Sequence, residues 1–252
     1  MKNFTKKGPL RMVSARTAVE YLFILMSIIV TSASCTHEPS YGTVTENIIK
    51  AYGGRERLAK VVSIAAEGRI TALVRGDEGV YRRALKREGK LFVDIIYKRS
   101  TEQRILNGPK GYRGTKDRLE QVSGPRYLAM VYQYNELNLP YGFLDNSYTV
   151  SEIGKDRLNG QEVRVFRCTD HANNVMEVSV STENYRIVKI SGTFAMGSQS
   201  TSLSSVYTDF RSVDGILFPF RIDNYADGFK ISEITITRYM VNPPIDDSLF
   251  SP

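Results

Sequence analysis

The residues that could carry out catalysis are few in this chain, and their spacing does not suit a known reaction. Only two histidines occur, His37 and His171. His37 lies in a polar stretch with Pro and Gly, and His171 lies in the polar segment 169–173, TDHAN, so both are interpreted as solvated loop residues. The chain has no G-x-S-x-G, no G-x-x-x-x-G-K-[ST] and no G-x-G-x-x-G pattern. Neither a nucleophile elbow nor a nucleotide-binding loop is therefore predicted.

The adjacent pair Asp246-Asp247 is the most obvious pair of carboxylates. Glycoside hydrolysis needs two carboxyl groups on either side of one bond, but neighbours on an extended segment point to opposite sides. We therefore predict that this pair caps backbone amides in a turn of the tail. The chain is predicted not to be an enzyme and to need no cofactor and no metal; a hydrolase with a dispersed site that uses His171 or an acidic residue is a further alternative.

The two cysteines have different predicted roles. Cys168 follows the strand-like run 163–167, VRVFR, and is expected to be a small buried hydrophobe rather than a nucleophile. Cys35 follows a basic stretch, the apolar run Tyr21–Val30 and four small or polar residues, which is the order of parts in an export signal. With only these two cysteines, no disulfide framework is expected.

The segment around Cys35 resembles the lipobox of bacterial lipoproteins, with Ala33 and Ser34 before the cysteine. The resemblance implies that residues 1–34 are a signal peptide and that Cys35 carries a lipid such as palmitate. Residues 35–42 would then be the lipidated cysteine and a polar tether that places the folded body beside the membrane. The alternative is ordinary cleavage after a small residue, which leaves a soluble periplasmic protein.

The basic charge of the chain is poor evidence for a nucleic-acid partner, and none is predicted. The net charge of the whole chain is +7, but much of that excess lies in the predicted signal. The range Arg55–Arg118 holds 17 Lys or Arg against eight Asp or Glu. This uneven field is compatible with an anionic lipid surface or an acidic partner, or simply with a well-solvated face.

The apolar spacing changes from a helical period to an alternating one early in the chain. A helix is predicted to begin near Thr45, to pause at Gly53-Gly54 and to continue for one turn over 55–61. From Glu67 onward, apolar residues alternate with polar ones, as in half-buried strands. The range Pro125–Leu139 has a spacing of three and four, which predicts a helix that ends before Pro140.

Four dipeptides mark tight turns between predicted strands, at 107–108, 159–160, 214–215 and 227–228. Each is Asn-Gly or Asp-Gly, which tolerates positive φ in hairpins. The glycines Gly111 and Gly114 are assigned to turns and close packing. The pattern predicts a mainly β protein with some α, in which an antiparallel sheet of about ten strands curls and is covered by helices.

We expect a pocket between the curled sheet and its helical lid. The residues expected to line it lie on one strand and on the inserted helix: Leu91, Val93, Ile95, Leu128, Val131 and Tyr132. Periodicity alone does not distinguish a cavity from a solid core, so both interpretations stay open.

Two segments resemble the periplasmic lipoprotein-carrier superfamily, the LolA/LolB-like proteins and their outer membrane lipoprotein-sorting relatives. The first is 46–70, ENIIKAYGGRERLAKVVSIAAEGRI, and the second is 207–250, which has an Asp-Gly turn and the ending NPPIDDSLF. The resemblance implies one domain over 43–252, an incomplete curved antiparallel β-barrel lidded by helices. It also implies an apolar cavity that holds acyl chains of lipids or lipoproteins.

The function expected on this basis is that of an envelope lipoprotein in lipid or lipoprotein transport or sorting. Its partners would be a lipid or an acylated lipoprotein, and the membrane through the N-terminal anchor. In the family's sorting rule, Asp directly after the lipidated cysteine retains a lipoprotein in the inner membrane. Thr36 stands at that position, so the resemblance implies the outer membrane, with the body facing the periplasm. The alternative is a module that carries no lipid and docks a protein partner in an envelope complex.

Overall fold

The computed structural model describes residues 41–196 and 199–252, and its dominant element is one sheet of thirteen antiparallel strands. The predicted signal 1–34, the predicted lipidation site Cys35 and the start of the predicted tether lie outside the described residues. The strands are β1 Ser63–Ala72, β2 Asp77–Lys86, β3 Lys90–Tyr97, β4 Thr101–Asn107, β5 Lys110–Thr115, β6 Arg118–Val122, β7 Tyr148–Leu158, β8 Gln161–Asp170, β9 Val175–Ser181, β10 Ile187–Met196, β11 Gln199–Val213, β12 Ile216–Ala226 and β13 Phe229–Val241.

In the described ranges, three α-helices and one short 3-10 helix accompany the sheet. They are α1 Tyr41–Ala51, α2 Arg55–Ala59, α3 Gly124–Gly142 and the 3-10 helix Asp247–Phe250. The first helix begins before Thr45, so Tyr41 and Gly42, which we had assigned to the tether, are helical. None of the helices in the described part of the chain has the length and apolar character that a membrane crossing requires.

The strand order is β6-β5-β4-β3-β2-β1-β13-β12-β11-β10-β9-β8-β7. Two antiparallel meanders, β1–β6 and β7–β13, are joined where β1 pairs with β13. The sheet is curved but not closed, because β6 and β7 form its two edges. Since α3 connects these edges, the chain crosses the concave face between the two meanders. The predicted fold class, a mainly β protein with a curved antiparallel sheet and covering helices, is confirmed.

Three of the four predicted tight turns lie where the sequence predicts them, whereas the β4–β5 turn is shifted by one residue, because Asn107 pairs with Lys110. Asn159-Gly160, Asp214-Gly215 and Asp227-Gly228 connect consecutive strands, and in each pair both residues have positive φ. This backbone twist matches the twist of the two flanking strands. The strand count of about ten was too low, because the sheet has thirteen strands. Gly111 and Gly114, which we had assigned to turns and close packing, both lie within β5. A Cβ at Gly114 would lie 2.0 Å from the Arg118 carbonyl oxygen, so glycine is needed there for close strand packing.

The first helix covers one end of the curved sheet. Its apolar side chains Val44, Ile48 and Ile49 are each 2 % exposed. The chain then turns at Gly53, where a Cβ would lie 2.4 Å from the Gly215 carbonyl oxygen of the β11–β12 turn. The Leu217 N–H also donates to the Tyr52 carbonyl at 3.1 Å, which fixes α1 against that turn.

The long helix α3 lies over the concave face and extends past Pro140, so the predicted end before this residue was wrong. Proline removes one hydrogen bond, the one to the carbonyl of residue 136, and this occurs near the end of the helix, where the loss is tolerated. Pro140 and Tyr141 are buried, and that packing favours the last turn. Two phenols hold the helix in place: Tyr132 donates to the Ile190 carbonyl at 3.2 Å, and Tyr134 donates to the Arg87 carbonyl at 2.6 Å.

Candidate functional site

A cavity of about 550 Å³ lies between the concave face of the sheet and α3. We call it the outer cavity. Its apolar wall comes from strands of both meanders and from the helix: Ile70, Ala72, Ile95, Met130, Tyr132, Leu203, Ile231 and Ile234. The lining also includes Val74, which is 78 % exposed, so the cavity reaches the protein surface at the β1–β2 turn. This volume lies within the range of about 300–1,000 Å³ that is typical of small-molecule sites.

A second, smaller cavity of about 60 Å³, which we call the inner cavity, lies next to the end of α1. Its wall includes Tyr52, Ile64, Leu85, Ile187 and Leu217. On β1, the inner wall residue Ile64 and the outer wall residue Ile70 are six positions apart, which is about 20 Å along a strand. The two cavities therefore follow one another along the concave face, and only the outer one has the volume of a ligand site.

Three polar residues line the inner cavity, and we call them the polar layer: Arg83, Glu136 and Tyr207. Glu136 lines both cavities, and its carboxylate accepts a hydrogen bond from the Tyr207 hydroxyl. The buried Arg83 guanidinium donates to the Tyr239 hydroxyl at 2.9 Å. Burial raises the pKa of Glu136, although hydrogen bonds from Ser205 and Tyr207 and the Arg83 charge oppose this shift.

Four arginines line the outer cavity, and we call them the arginine rim. They come from four separate elements: Arg75 from the β1–β2 turn, Arg104 from β4, Arg113 from β5 and Arg126 from the first turn of α3. Glu102 on β4 pairs with Arg104 at 2.8 Å and with Arg113 at 2.7 Å. Burial opposes the ionisation of Glu102, but these two guanidinium groups outweigh it and lower the carboxyl pKa.

This architecture is shared with solved structures of low sequence identity. A LolA superfamily protein from Nitrosomonas europaea matches with a TM-score of 0.55 and 13% identity, covering 85% of this chain and 99% of the other. A domain from Vibrio parahaemolyticus, described as an outer membrane lipoprotein-sorting protein, matches with a TM-score of 0.54 and 10% identity over 83% of this chain and 95% of the other. This chain has the LolA-like fold.

A third solved structure with this fold is a DUF1329 family protein from Desulfovibrio piger. It has a TM-score of 0.54 and 9% identity, covering 83% of this chain and 96% of the other. None of these three LolA-like structures is described as an enzyme. No protein-family model matches the chain, and no curated protein matches it.

The residues predicted to line a cavity occupy three kinds of position in this LolA-like fold. Ile95 and Tyr132 are in the wall of the outer cavity. Leu91 and Val93 are fully buried in the core around it. On α3, Val131 is half-buried against the core and Leu128 is 40 % exposed. Their part in ligand binding stays a prediction.

The polar layer and the arginine rim were missed by the sequence analysis, although part of the signal was present. Arg83 stands in phase with Tyr81 and Leu85 on β2, so a charged residue occupies an inward position of an alternating strand. Glu136 follows Tyr132 by four residues and therefore shares its helix face. No comparable pattern connects the four rim arginines, because they are brought together only by the folding of the sheet.

His171, Asp246 and Asp247, which were considered for catalysis, do not line the outer cavity, and His37 lies outside the described residues. His171 is exposed in the turn between β8 and β9. Asp246 accepts from the Ser248 N–H at 2.8 Å, which caps the 3-10 helix as expected. Asp247, which was also predicted to cap a backbone amide, instead pairs with Lys86 at 2.5 Å and with Lys90 at 3.1 Å. Across residues 41–196 and 199–252, no three or more His, Cys, Asp or Glu side chains are grouped as metal ligands.

Proposed function

We propose that this chain binds an acyl chain of a lipid or lipoprotein in the outer cavity and takes part in lipid or lipoprotein transport or sorting in the cell envelope. The observation that carries this proposal is the apolar cavity of about 550 Å³ between the sheet and α3. Side chains from both meanders and from the helix surround a space that they do not fill. An acyl chain placed there leaves water without needing any covalent link to the protein.

The hydrophobic effect is large enough to account for binding. Each methylene removed from water contributes about 0.8 kcal/mol, so a dozen contribute about 10 kcal/mol before the costs of ordering the chain. The LolA-like fold supports the proposal further, since a neighbour with this fold is described as a lipoprotein-sorting protein.

Copurified lipid provides the first test. Organic extracts of the gently purified mature protein are analysed by mass spectrometry, and uptake of the neutral fluorescent probe N-phenylnaphthylamine is measured in parallel. We expect an acyl-containing molecule in the extract and saturable uptake of the probe. Empty protein with no uptake would contradict the proposal; an envelope protein found by crosslinking would then favour the interaction module.

Substitution of Ala72 by phenylalanine provides the second test, because Ala72 lines the outer cavity. Loss of room for two methylenes costs about 1.6 kcal/mol, which is more than tenfold in affinity. We therefore expect Ala72→Phe to weaken probe binding at least tenfold. The matched control is Thr71→Phe, since the adjacent strand residue points to the opposite face of the sheet. Equal binding by the two variants, with melting temperatures near that of the parent, would contradict the proposed site.

The membrane anchor is a separate part of the proposal and concerns Cys35, outside the described residues. We expect labelled palmitate to be incorporated into the parent chain and not into the Cys35→Ser variant. We also expect the parent to fractionate with the outer membrane and Thr36→Asp to move to the inner membrane. Unlabelled protein in the soluble periplasmic fraction would favour ordinary cleavage.

A further inference from the structure

The outer cavity has an excess of positive charge around its apolar wall. Four guanidinium groups of the arginine rim line it, and Glu102 and Glu136 are its carboxylates. Glu102 forms ion pairs with both Arg104 and Arg113. Glu136 belongs to the polar layer at the inner end, where it is held by Tyr207. The rim itself therefore has four positive charges against the single negative charge of Glu102.

Two of the rim arginines are available to a ligand. In the described ranges, neither Arg75 nor Arg126 has a carboxylate within salt-bridge distance. Arg75 stacks on the Tyr97 ring, with its guanidinium carbon 4.4 Å from the ring centroid, so its polar edge is still able to donate hydrogen bonds. Both residues are exposed. A guanidinium group binds a carboxylate or phosphate through two parallel hydrogen bonds, and a cleft lined by one sign of charge attracts the opposite sign.

The apolar wall and the charged rim belong to the same cavity, so they select for a molecule with both properties. We infer that the ligand of this cavity is an anionic amphiphile, whose acyl chain contacts Ile70, Ile95 and Ile234 and whose carboxylate or phosphate binds the arginine rim through Arg75 and Arg126. This inference rests on the proposed function, and it narrows the ligand from any acyl chain to one with an acidic head group.

The test compares molecules that have the same sixteen-carbon chain and different head groups. Palmitate, hexadecanol, hexadecylamine and palmitoyl lysophosphatidate are used to displace N-phenylnaphthylamine from the full mature protein at pH 8. We expect both anionic molecules to bind at least tenfold more tightly than hexadecanol, and hexadecylamine to bind most weakly. A preference between palmitate and lysophosphatidate identifies the acid as carboxylate or phosphate.

The double variant Arg75→Ala/Arg126→Ala tests whether the arginine rim causes the preference for anionic molecules. Among residues 41–196 and 199–252 neither arginine has a carboxylate partner, so their removal leaves no unpaired carboxylate there. We expect the preference for palmitate over hexadecanol to fall below threefold in this variant. The matched control is Arg69→Ala/Arg82→Ala, which removes the same charge from exposed positions on β1 and β2 outside the cavity.

The outcomes separate this inference from the proposed function. If no sixteen-carbon molecule displaces the probe, the proposed function fails and the inference fails with it. If all four molecules bind with equal affinity, the cavity binds acyl chains and only the inference is overturned. An equal loss of palmitate affinity in the control variant would also overturn it, because the effect would then come from the general field of the protein.

Discussion

Glu102 and Glu136 line the same cavity, but their surroundings shift the carboxyl pKa in opposite directions. Burial dominates at Glu136 and raises its pKa, whereas Arg104 and Arg113 outweigh burial at Glu102 and lower its pKa. The difference follows from their neighbours: Glu102 has two guanidinium groups within 2.8 Å, and Glu136 is held mainly by hydroxyl groups. Glu102 offsets part of the positive charge of the arginine rim, and Glu136 belongs to the polar layer.

Glu136→Gln is predicted to change the pH dependence of stability. With a raised pKa, the folded chain keeps a proton that the unfolded chain releases above the ordinary glutamate pKa of 4.5. The stability that comes from this protonated carboxyl is complete below that value and is lost as the pH rises through the raised pKa. The parent therefore loses this stability between pH 5 and pH 8, and Glu136→Gln does not. The free energy of unfolding of the variant, measured in urea, should rise relative to that of the parent over this range.

Glu102→Gln is the matched comparison, and the expected sign is reversed. A lowered pKa contributes stability that is present above the ordinary glutamate pKa and is lost as the pH falls through the lowered value. The Glu102→Gln variant should therefore be less stable than the parent at pH 7, with a difference that narrows in acid. The same sign of pH dependence in both variants would contradict the opposite pKa shifts of Glu102 and Glu136.

Cys168 is predicted to be chemically inert in the folded chain. Its side chain is fully buried, and burial raises the pKa of the thiol to about 12, so almost no thiolate exists at neutral pH. In a Cys35→Ser background, Ellman's reagent at pH 8 should label less than a tenth of Cys168 in an hour. In 6 M guanidinium chloride the label should reach one equivalent within minutes. Rapid native labelling would show that the core opens readily at this site.

At the scale of elements, the position of α3 depends on how closely it packs on β10. Gly192 lies directly under the Tyr132 ring: a Cβ at this position would be 2.9 Å from two ring carbons. The ring cannot move freely, because its hydroxyl donates to the Ile190 carbonyl and the ring forms a T-shaped contact with Phe194, with ring centroids 5.3 Å apart. This glycine thus sets the distance between the helix and the sheet.

Gly192→Ala is predicted to displace Tyr132 and loosen α3. Overpacking of this kind costs about 1–3 kcal/mol of unfolding free energy, which thermal and urea unfolding measure. Because Tyr132 also lines the outer cavity, the affinity of the variant for N-phenylnaphthylamine should differ from that of the parent. Gly42→Ala in α1 is the comparison, since a Cβ there meets no atom within 4 Å. Unchanged stability in Gly192→Ala would mean that the ring moves without cost.

At the scale of the whole molecule, the two meanders depend on one strand pair. In the described part of the chain, β1 and β13 are the strands through which the meanders hydrogen-bond to one another. The pairing contains a register shift between Glu67 and Gly68. At Gly68 the two backbones approach so closely that a Cβ would lie 2.2 Å from the Thr235 carbonyl oxygen.

Gly68→Ala is predicted to weaken this joint and destabilise the whole molecule. The clash is with backbone rather than with a flexible side chain, so the cost should reach the upper part of the roughly 1–3 kcal/mol range for overpacking. Urea unfolding followed by circular dichroism measures it. Gly42→Ala in α1 is the control, because a Cβ there meets nothing within 4 Å. It should be neutral or slightly stabilising, and a similar loss in both variants would contradict the argument.

Much of the fold could be predicted from the sequence, because its signals are local. The Asn-Gly and Asp-Gly pairs specify hairpins, since few other residues tolerate positive φ. Alternation indicates which face of each strand is apolar, and it correctly placed Ile70, Ile95 and Cys168 in the interior. The end of α3 was misjudged because a local rule about Pro140 was outweighed by the burial of that residue in the tertiary structure.

The tertiary structure alone decided what the apolar faces enclose and which charges meet. Alternation gives the direction of a side chain and not the distance to the opposite wall, so it does not separate a filled core from a cavity of about 550 Å³. Arg75, Arg104, Arg113 and Arg126 come from four elements, and only the curvature of the sheet and the crossing of α3 place them around one opening. Contacts between residues far apart in sequence depend on sheet curvature and helix placement, which no local pattern of residues encodes.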